Sequence, residues 1–135
     1  MLSDDLFGLL EKLQQEDIPL LVEGKKDQEA FWKLGFGNII VLEKRALYKV
    51  IEQLLNDEIK EIALLTDLDT EGRILYQKLN DECSRRAIHV NNRLRHFLLR
   101  ETPLTTMEGL PRYLETLQKK EREGRRRRRR KEEEF

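Results

Sequence analysis

Short runs of apolar residues alternate along this chain with longer segments in which apolar residues recur at helical spacing. The runs are residues 20–22, 39–42 and 62–65, and Ile88 and Val90 suggest a fourth, shorter strand. The first three runs are apolar throughout, which is typical of strands covered on both faces of a parallel sheet. The segments with helical spacing predict helices over residues 4–13, 26–34, 46–57 and 71–86, and a last one that starts near Thr105.

This alternation predicts the order α-β-α-β-α-β-α-β-α and an α/β fold, with a mainly parallel four-stranded sheet flanked by helices. Thr105 and Glu108 have the spacing of a capping box, so the last helix is predicted to begin there. The chain has 135 residues, a length that fits one domain.

Charge is distributed unevenly along the chain. Lysine plus arginine and aspartate plus glutamate each total 26, so the formal net charge is zero. Residues 119–135 carry ten basic and five acidic side chains, whereas residues 1–118 carry 16 and 21. The final stretch is of low complexity and cannot build a core. We therefore expect an α/β domain over residues 1–118 and a disordered basic tail over residues 119–135.

Composition excludes several classes of protein. The longest apolar runs are four or five residues, too short to span a membrane, and the first residues lack the basic start and apolar stretch of a signal peptide. Cys83 is the only cysteine, which excludes an intramolecular disulfide framework and a cysteine-based zinc site. The expected location is the cytoplasm, with no membrane partner.

Acidic side chains follow two of the predicted strands. Glu23 comes directly after the first run, and Asp67, Asp69 and Glu71 follow the third. Neighbouring strands lie about 4.8 Å apart, so carboxylates at their carboxyl ends can share one cation. Oxygen ligands without cysteine favour Mg²⁺ or Mn²⁺. Taken singly, Asp67 is also explained as a helix N-cap and Glu71 as an acid in the first helical turn.

Two segments of this sequence resemble the signature motifs of the Toprim domain, which topoisomerases, bacterial-type primases and several nuclease groups share. They are LLVEGKKD at residues 20–27 and LLTDLDTEGR at residues 64–73. The resemblance extends over roughly residues 18–100 and implies a Toprim-like, Rossmann-like domain.

The resemblance also implies roles for individual residues. Glu23 would be the general acid/base, a metal ligand, or both. Asp67 and Asp69 would bind the divalent metal, and Glu71 would assist. Lys25 or Lys26 would contact a phosphate. Apart from the resemblance, Arg73 lies one turn after the acidic loop and is the best single candidate for a phosphate clamp at the catalytic centre. Gly24 and Gly72 would let the backbone approach the site closely.

Full topoisomerase or primase activity is not expected of this chain. A topoisomerase of this type needs a nucleophilic tyrosine on a separate domain, whereas Tyr76 and Tyr113 have the apolar neighbours of packing residues. A bacterial-type primase needs a zinc-binding domain, which one cysteine cannot supply.

Basic residues outside the acidic motifs indicate a nucleic-acid partner, since arginine and lysine bind phosphate without sequence preference. Arginines cluster after the fourth predicted strand, and a second run fills the tail at residues 125–130. A charged, solvated surface explains the same residues. The predicted nucleic-acid contacts are Lys26, Arg93, Arg95, Arg125, Arg126 and Arg127.

Together these features predict Mg²⁺-dependent processing of phosphodiester bonds by a small Toprim-type nuclease acting on RNA or DNA. In that mechanism the metal activates a water or stabilises the leaving oxygen, and Glu23 moves the proton. The alternative is a non-catalytic module that binds nucleic acid, or a protein partner in a processing or replication complex.

Overall fold

The computed structural model describes residues 1–133, in which six helices and four strands are formed. In chain order these are α1 (Leu2–Gln15), β1 (Leu20–Val22), α2 (Lys25–Lys33), β2 (Ile39–Val41), α3 (Leu47–Asn56), β3 (Glu61–Leu65), α4 (Thr70–Arg85), β4 (His89–Val90), α5 (Arg93–Glu101) and α6 (Leu110–Glu133). The strands form one sheet in the order β2-β1-β3-β4, and every adjacent pair is parallel. The predicted α/β fold class is confirmed.

The register of the two central strands determines where the acidic residues lie. Val22 at the end of β1 pairs with Leu65 at the end of β3. The two strands therefore end at the same level, and the chain leaves both at one edge of the sheet. Glu23 and Thr66 are the next residues at that edge.

The sheet is buried on both faces, which explains why the strand sequences are apolar without alternation. One face, with Leu20 and Val22, packs in a core with side chains from α1, α2, α5 and α6. The other face, with Leu21 and Leu64, packs in a second core with side chains from α3 and α4.

Helix α5 is absent from the predicted order of elements. Its segment, RLRHFLLRE, contains three arginines and a histidine, and these polar residues make its apolar helix face hard to recognise in the sequence. Leu94 and Leu98 lie four residues apart on one face and are both fully buried. That spacing is the helical signal in this segment.

The last helix begins at Leu110, so the predicted start near Thr105 is wrong. Residues 105–107 bind the loop after β3 instead of opening a helix. The Leu68 N–H donates to the Thr105 carbonyl oxygen at 2.9 Å, and the Met107 N–H donates to Asp67 Oδ1 at 3.0 Å. These bonds hold the segment in an irregular conformation ahead of α6.

Helix α6 continues to Glu133, which differs from the predicted disordered tail over residues 119–135. Arginine, lysine and glutamate are strong helix formers, so the segment extends a helix that its buried first turns have started. Residues 134–135 of the predicted tail lie outside the described residues. Although α6 has 24 residues, neither it nor any other helix within residues 1–133 has the length and apolar character needed to cross a membrane.

Candidate functional site

Glu23 and Asp67 meet at the carboxyl edge of the sheet. Glu23 Oε2 accepts a hydrogen bond from the Asp67 backbone N–H at 2.6 Å. Both residues are half-buried. The bond links the end of β1 to the end of β3, so the structure brings these two predicted residues together.

Two further carboxylates lie close to this pair. Burial raises the pKa of Glu23, and the charges of Asp67 and Asp27 raise it further. Burial also raises the pKa of Asp27, followed by the charges of Asp67 and Glu108. These four residues, Glu23, Asp27, Asp67 and Glu108, form what we call the acidic cluster.

Asp27 and Glu108 were not predicted as site residues. Asp27 is the N3 residue of α2, and its carboxylate accepts a hydrogen bond from the N–H of the N-cap residue Gly24 at 3.0 Å. Its spacing from Gly24 is a signal in the sequence. Glu108 has capping-box spacing from Thr105, but its position is determined by the bonds that residues 105–107 make to the distant Asp67 loop.

Asp69 and Glu71 have structural roles at the start of α4. Asp69 is the N-cap of the helix, and its Oδ1 accepts from the Gly72 N–H at 2.7 Å. The N-cap of α4 is therefore Asp69. The sequence pattern suggests Asp67 as the N-cap residue instead. Glu71 is exposed in the first turn, where the helix dipole favours an acid.

Gly72 packs directly against the backbone of the Asp67 loop. A Cβ at this position would lie 1.9 Å from the Asp67 carbonyl oxygen. The Gly72 carbonyl oxygen accepts from Thr66 Oγ1 at 2.7 Å, which holds the helix start against the end of β3. Only glycine permits this approach, so the loop geometry depends on it.

Arg95 is buried beneath the Asp67 loop, with 4% of its surface exposed. Its Nη2 donates to the Asp67 carbonyl oxygen at 2.9 Å, and its guanidinium carbon lies 4.4 Å from the centroid of the Tyr76 ring. Its Nε has no hydrogen-bond partner within the described chain. Burial lowers the pKa of Arg95, but an arginine keeps its charge.

The prediction that Arg95 contacts nucleic acid is therefore wrong. The unpredicted helix α5 turns this side chain into the protein, where it faces Tyr76 and the Asp67 loop. Its charge interacts favourably with those of Glu23 and Asp67. Arg95 is thus a buried cation beside the acidic cluster.

A cleft of about 490 Å³ opens beside Glu23. Glu23 and Glu71 both line it, so these two acids face a common space. Two basic side chains, Arg45 and Lys78, share the lining with apolar residues of α3 and α4. Glu43 lines it as well, so three acidic and two basic side chains face the cleft.

The other predicted residues lie on the surface. Lys25 and Lys26 are exposed in the first turn of α2, and Lys25 Nζ is 3.8 Å from Glu43 Oε1. Arg73 is exposed on α4, and its charge contributes to the lowered pKa of Arg95. Arg93 lines a different cleft, between α1 and α5. The predicted contacts in the tail are on α6 and are exposed: Arg125, Arg126 and Arg127.

The acidic cluster fits a divalent cation in donor type and charge. Mg²⁺ is commonly held by one or two carboxylates together with several waters. Glu23 and Asp67 offer such a pair, although a backbone N–H binds one carboxylate oxygen of each. Within residues 1–133, no three histidine, cysteine, aspartate or glutamate side chains are arranged to hold a metal ion.

Comparison with known proteins identifies relatives over most of the chain. A UPF0292 protein of Methanocaldococcus jannaschii is 36% identical over 106 residues, covering 76% of this chain and 83% of the relative. A UPF0292 protein of Thermoplasma volcanium is 28% identical over 109 residues, covering 80% and 92%. The names of these relatives state no activity, ligand or partner.

A solved structure shares the fold. A protein from Aquifex aeolicus superposes with a TM-score of 0.68 at 28% identity, covering 78% of this chain and 94% of that one. No protein-family model matches the sequence. The similarity to the Methanocaldococcus jannaschii protein covers most of both chains, and on that basis this chain belongs to the UPF0292 family.

Proposed function

We propose that this chain is a Toprim-type nuclease that hydrolyses phosphodiester bonds in nucleic acid with the help of Mg²⁺ or Mn²⁺. The observation that carries the proposal is the contact between Glu23 and Asp67, which joins the two sequence motifs at the ends of adjacent parallel strands. We propose the cytoplasm as its location, with which the free, buried Cys83 is compatible.

Glu23 and Asp67 would hold the cation, with Asp69 and Glu71 as further oxygen donors that the Toprim resemblance implies. A bound divalent cation supplies positive charge that neutralises phosphate oxygens. The need for such charge is supported by the raised pKa values of Glu23 and Asp27, since burial and mutual repulsion disfavour their ionised forms.

Glu23 is proposed as the proton-transferring group. Its half-buried carboxylate is a group of the kind that accepts and returns a proton in general acid–base catalysis. It lines the 490 Å³ cleft, in which Arg45 and Lys78 can orient a phosphate. We propose that exposed Lys25 and Arg73 add phosphate contacts at its edge.

A non-catalytic module is the second candidate. The observation that favours it is that Asp67 accepts from the Met107 N–H and Asp69 accepts from the Gly72 N–H. Both aspartates therefore have a structural role that does not depend on a metal. Such a module would bind nucleic acid or a protein partner without cleaving anything.

Cleavage of end-labelled substrates separates these two candidates. Structured RNA, single-stranded DNA and duplex DNA are incubated with the protein in Mg²⁺, in Mn²⁺ and in EDTA. Glu23→Gln and Asp67→Asn keep an acceptor oxygen for the Asp67 and Met107 N–H groups, so both variants should fold. Glu29→Gln, at an exposed position on α2, is the matched control.

We expect cleavage by the wild type and by Glu29→Gln in either metal, and at least a hundredfold slower cleavage by both site variants. Binding without cleavage by the wild type would favour the module. Equal cleavage by wild type and site variants would reveal a contaminating nuclease and remove the support for Glu23 and Asp67.

A further inference from the structure

Helix α6 extends away from the domain in its second half. Its first turns are packed, with Leu110 and Leu114 buried. Within residues 1–133, the last side-chain hydrogen bond between α6 and the body is made by Glu121, which accepts from the Ser3 N–H at 3.3 Å and from the Ser3 hydroxyl. Every residue from 125 to 133 is exposed. We call residues 122–133 the α6 extension.

The α6 extension is strongly basic. Residues 122–133 contain eight basic side chains and three acidic ones, a net charge of +5, and two of the acids, Glu132 and Glu133, lie at the far end. Within the described chain, the arginines at 125–130 take part in none of the ion pairs. Their guanidinium groups are therefore available to an external polyanion.

The arginines surround the helix. Arg122, Arg125, Arg126 and Arg129 lie one turn apart on one side, where they line a common cleft. Successive residues of an α-helix are rotated by about 100°, so Arg127, Arg128 and Arg130 project from the other sides. A helix that lies flat on a surface uses only one side. Arginines on more than one side can contact phosphates on both flanks of the helix at once, as a groove between two phosphate backbones offers.

We propose that the α6 extension binds double-stranded DNA by entering its major groove. That groove is about 12 Å wide, and a helix with its side chains is about 10–12 Å across. The phosphates of both strands would then flank the helix and meet arginines on opposite sides. A-form RNA has a deep, narrow major groove, which excludes such a helix.

This inference deepens the proposed function, because it names the form of nucleic acid presented to the acidic cluster. Binding through the α6 extension needs no metal. An assay in EDTA therefore tests it separately from cleavage, and failure of one does not imply failure of the other.

Gly124 provides a test in which charge stays constant. It lies in α6 just before the arginine run, and a Cβ there would meet nothing within 4 Å. Gly124→Ala removes the weakest helix former between the body and the arginines. Gly124→Pro removes a helical N–H and clashes with the preceding turn, which breaks the helix at this point.

The measurement is fluorescence anisotropy with full-length protein in EDTA over a salt series. The probes are a 20-base-pair DNA duplex, an RNA duplex of the same sequence, and the single DNA strand. Circular dichroism reports the helix content, and thermal unfolding checks that both Gly124 variants retain the folded domain.

We expect the DNA duplex to bind tightest, with the logarithm of Kd rising by about 0.9 per contacted phosphate for each tenfold increase in salt. Gly124→Ala should bind it at least as tightly as the wild type, and Gly124→Pro about tenfold more weakly. Equal binding by both Gly124 variants would overturn the proposal in favour of an unstructured polycation. Equal or tighter binding of the RNA duplex or the single strand, or no binding, would also overturn it.

Discussion

Arg95 donates a hydrogen bond to the backbone carbonyl oxygen of Asp67 at 2.9 Å, from a position that is almost entirely buried. The bond joins α5 to the loop that follows β3, and the Tyr76 ring supports the guanidinium from α4. This buried cation holds the Asp67 loop from beneath.

Replacing Arg95 should therefore destabilise the domain. We expect Arg95→Met to lower the free energy of unfolding by about 1.5–3 kcal/mol, because the Asp67 carbonyl loses a charged donor. Arg93→Met, on the same helix but exposed, should change it by less than about 0.5 kcal/mol. Urea unfolding of the two variants measures the difference, and similar values for both would contradict the proposed support of the Asp67 loop.

A side chain at position 72 should disrupt the site. The Cβ of Gly72→Ala would lie 1.9 Å from the Asp67 carbonyl oxygen, so either the loop or the start of α4 must move. We expect a loss of more than about 4 kcal/mol, or a failure to fold. The matched control is Gly8→Ala on α1, where a Cβ meets nothing within 4 Å, and it should stabilise the protein by up to about 1 kcal/mol. Thermal unfolding distinguishes the two.

Two substitutions at Asp69 can separate its capping role from its charge. Asp69→Asn retains an oxygen for the Gly72 N–H, and asparagine is as good an N-cap as aspartate. Asp69→Ala removes the cap and should cost about 1 kcal/mol. If Asp69 also binds a divalent cation, the Asp69→Asn variant should no longer be stabilised by Mg²⁺. Its stability in EDTA should equal that of the wild type. Thermal unfolding with and without Mg²⁺ measures both effects, and unchanged Mg²⁺ stabilisation in Asp69→Asn would remove it from the ligand set.

The metal-free protein should lose stability as pH rises through the range in which the acidic cluster ionises. Glu23 and Asp27 have pKa values in the folded state above their ordinary values. The folded state therefore holds protons that the unfolded chain has released, and stability falls from the ordinary pKa up to the raised one.

Denaturant unfolding in EDTA across this range measures the slope. Glu23→Gln and Asp27→Asn should each reduce it and raise stability at neutral pH, whereas Glu29→Gln should do neither. A wild-type stability that rises with pH in this range, with no change in either cluster variant, would contradict the raised pKa values of Glu23 and Asp27.

The strands and the main acids are predictable because their signals are local. An unbroken apolar run identifies a strand buried on both faces, and the acid that follows it is placed at the sheet edge by the parallel topology. The 2.6 Å contact between Glu23 and the Asp67 N–H therefore follows from signals within the two motifs and from the parallel topology.

The roles of Arg95 and Glu108 depend on packing between distant segments. Nothing in RLRHFLLRE distinguishes the buried arginine from its exposed neighbours except its place between Leu94 and Leu98. The capping-box spacing of Thr105 and Glu108 indicated a helix start, but bonds to the Asp67 loop are formed instead. Local sequence preference cannot show such competition, because the competing partner lies 40 residues away along the chain.

Residues 107–110 connect the acidic cluster to α6. Met107 donates to Asp67 through its N–H, and its carbonyl oxygen accepts from the Leu110 N–H at 3.1 Å, where α6 begins. A helix of 24 residues is about 36 Å long, and each added residue advances it by about 1.5 Å and turns it by about 100°. The number of residues between Met107 and Arg125 therefore sets both the distance and the angle at which the arginines are presented relative to Asp67. One residue inserted between Met107 and Arg122 would leave the spacing of the arginines along the helix unchanged and would turn all of them by about 100° relative to Asp67.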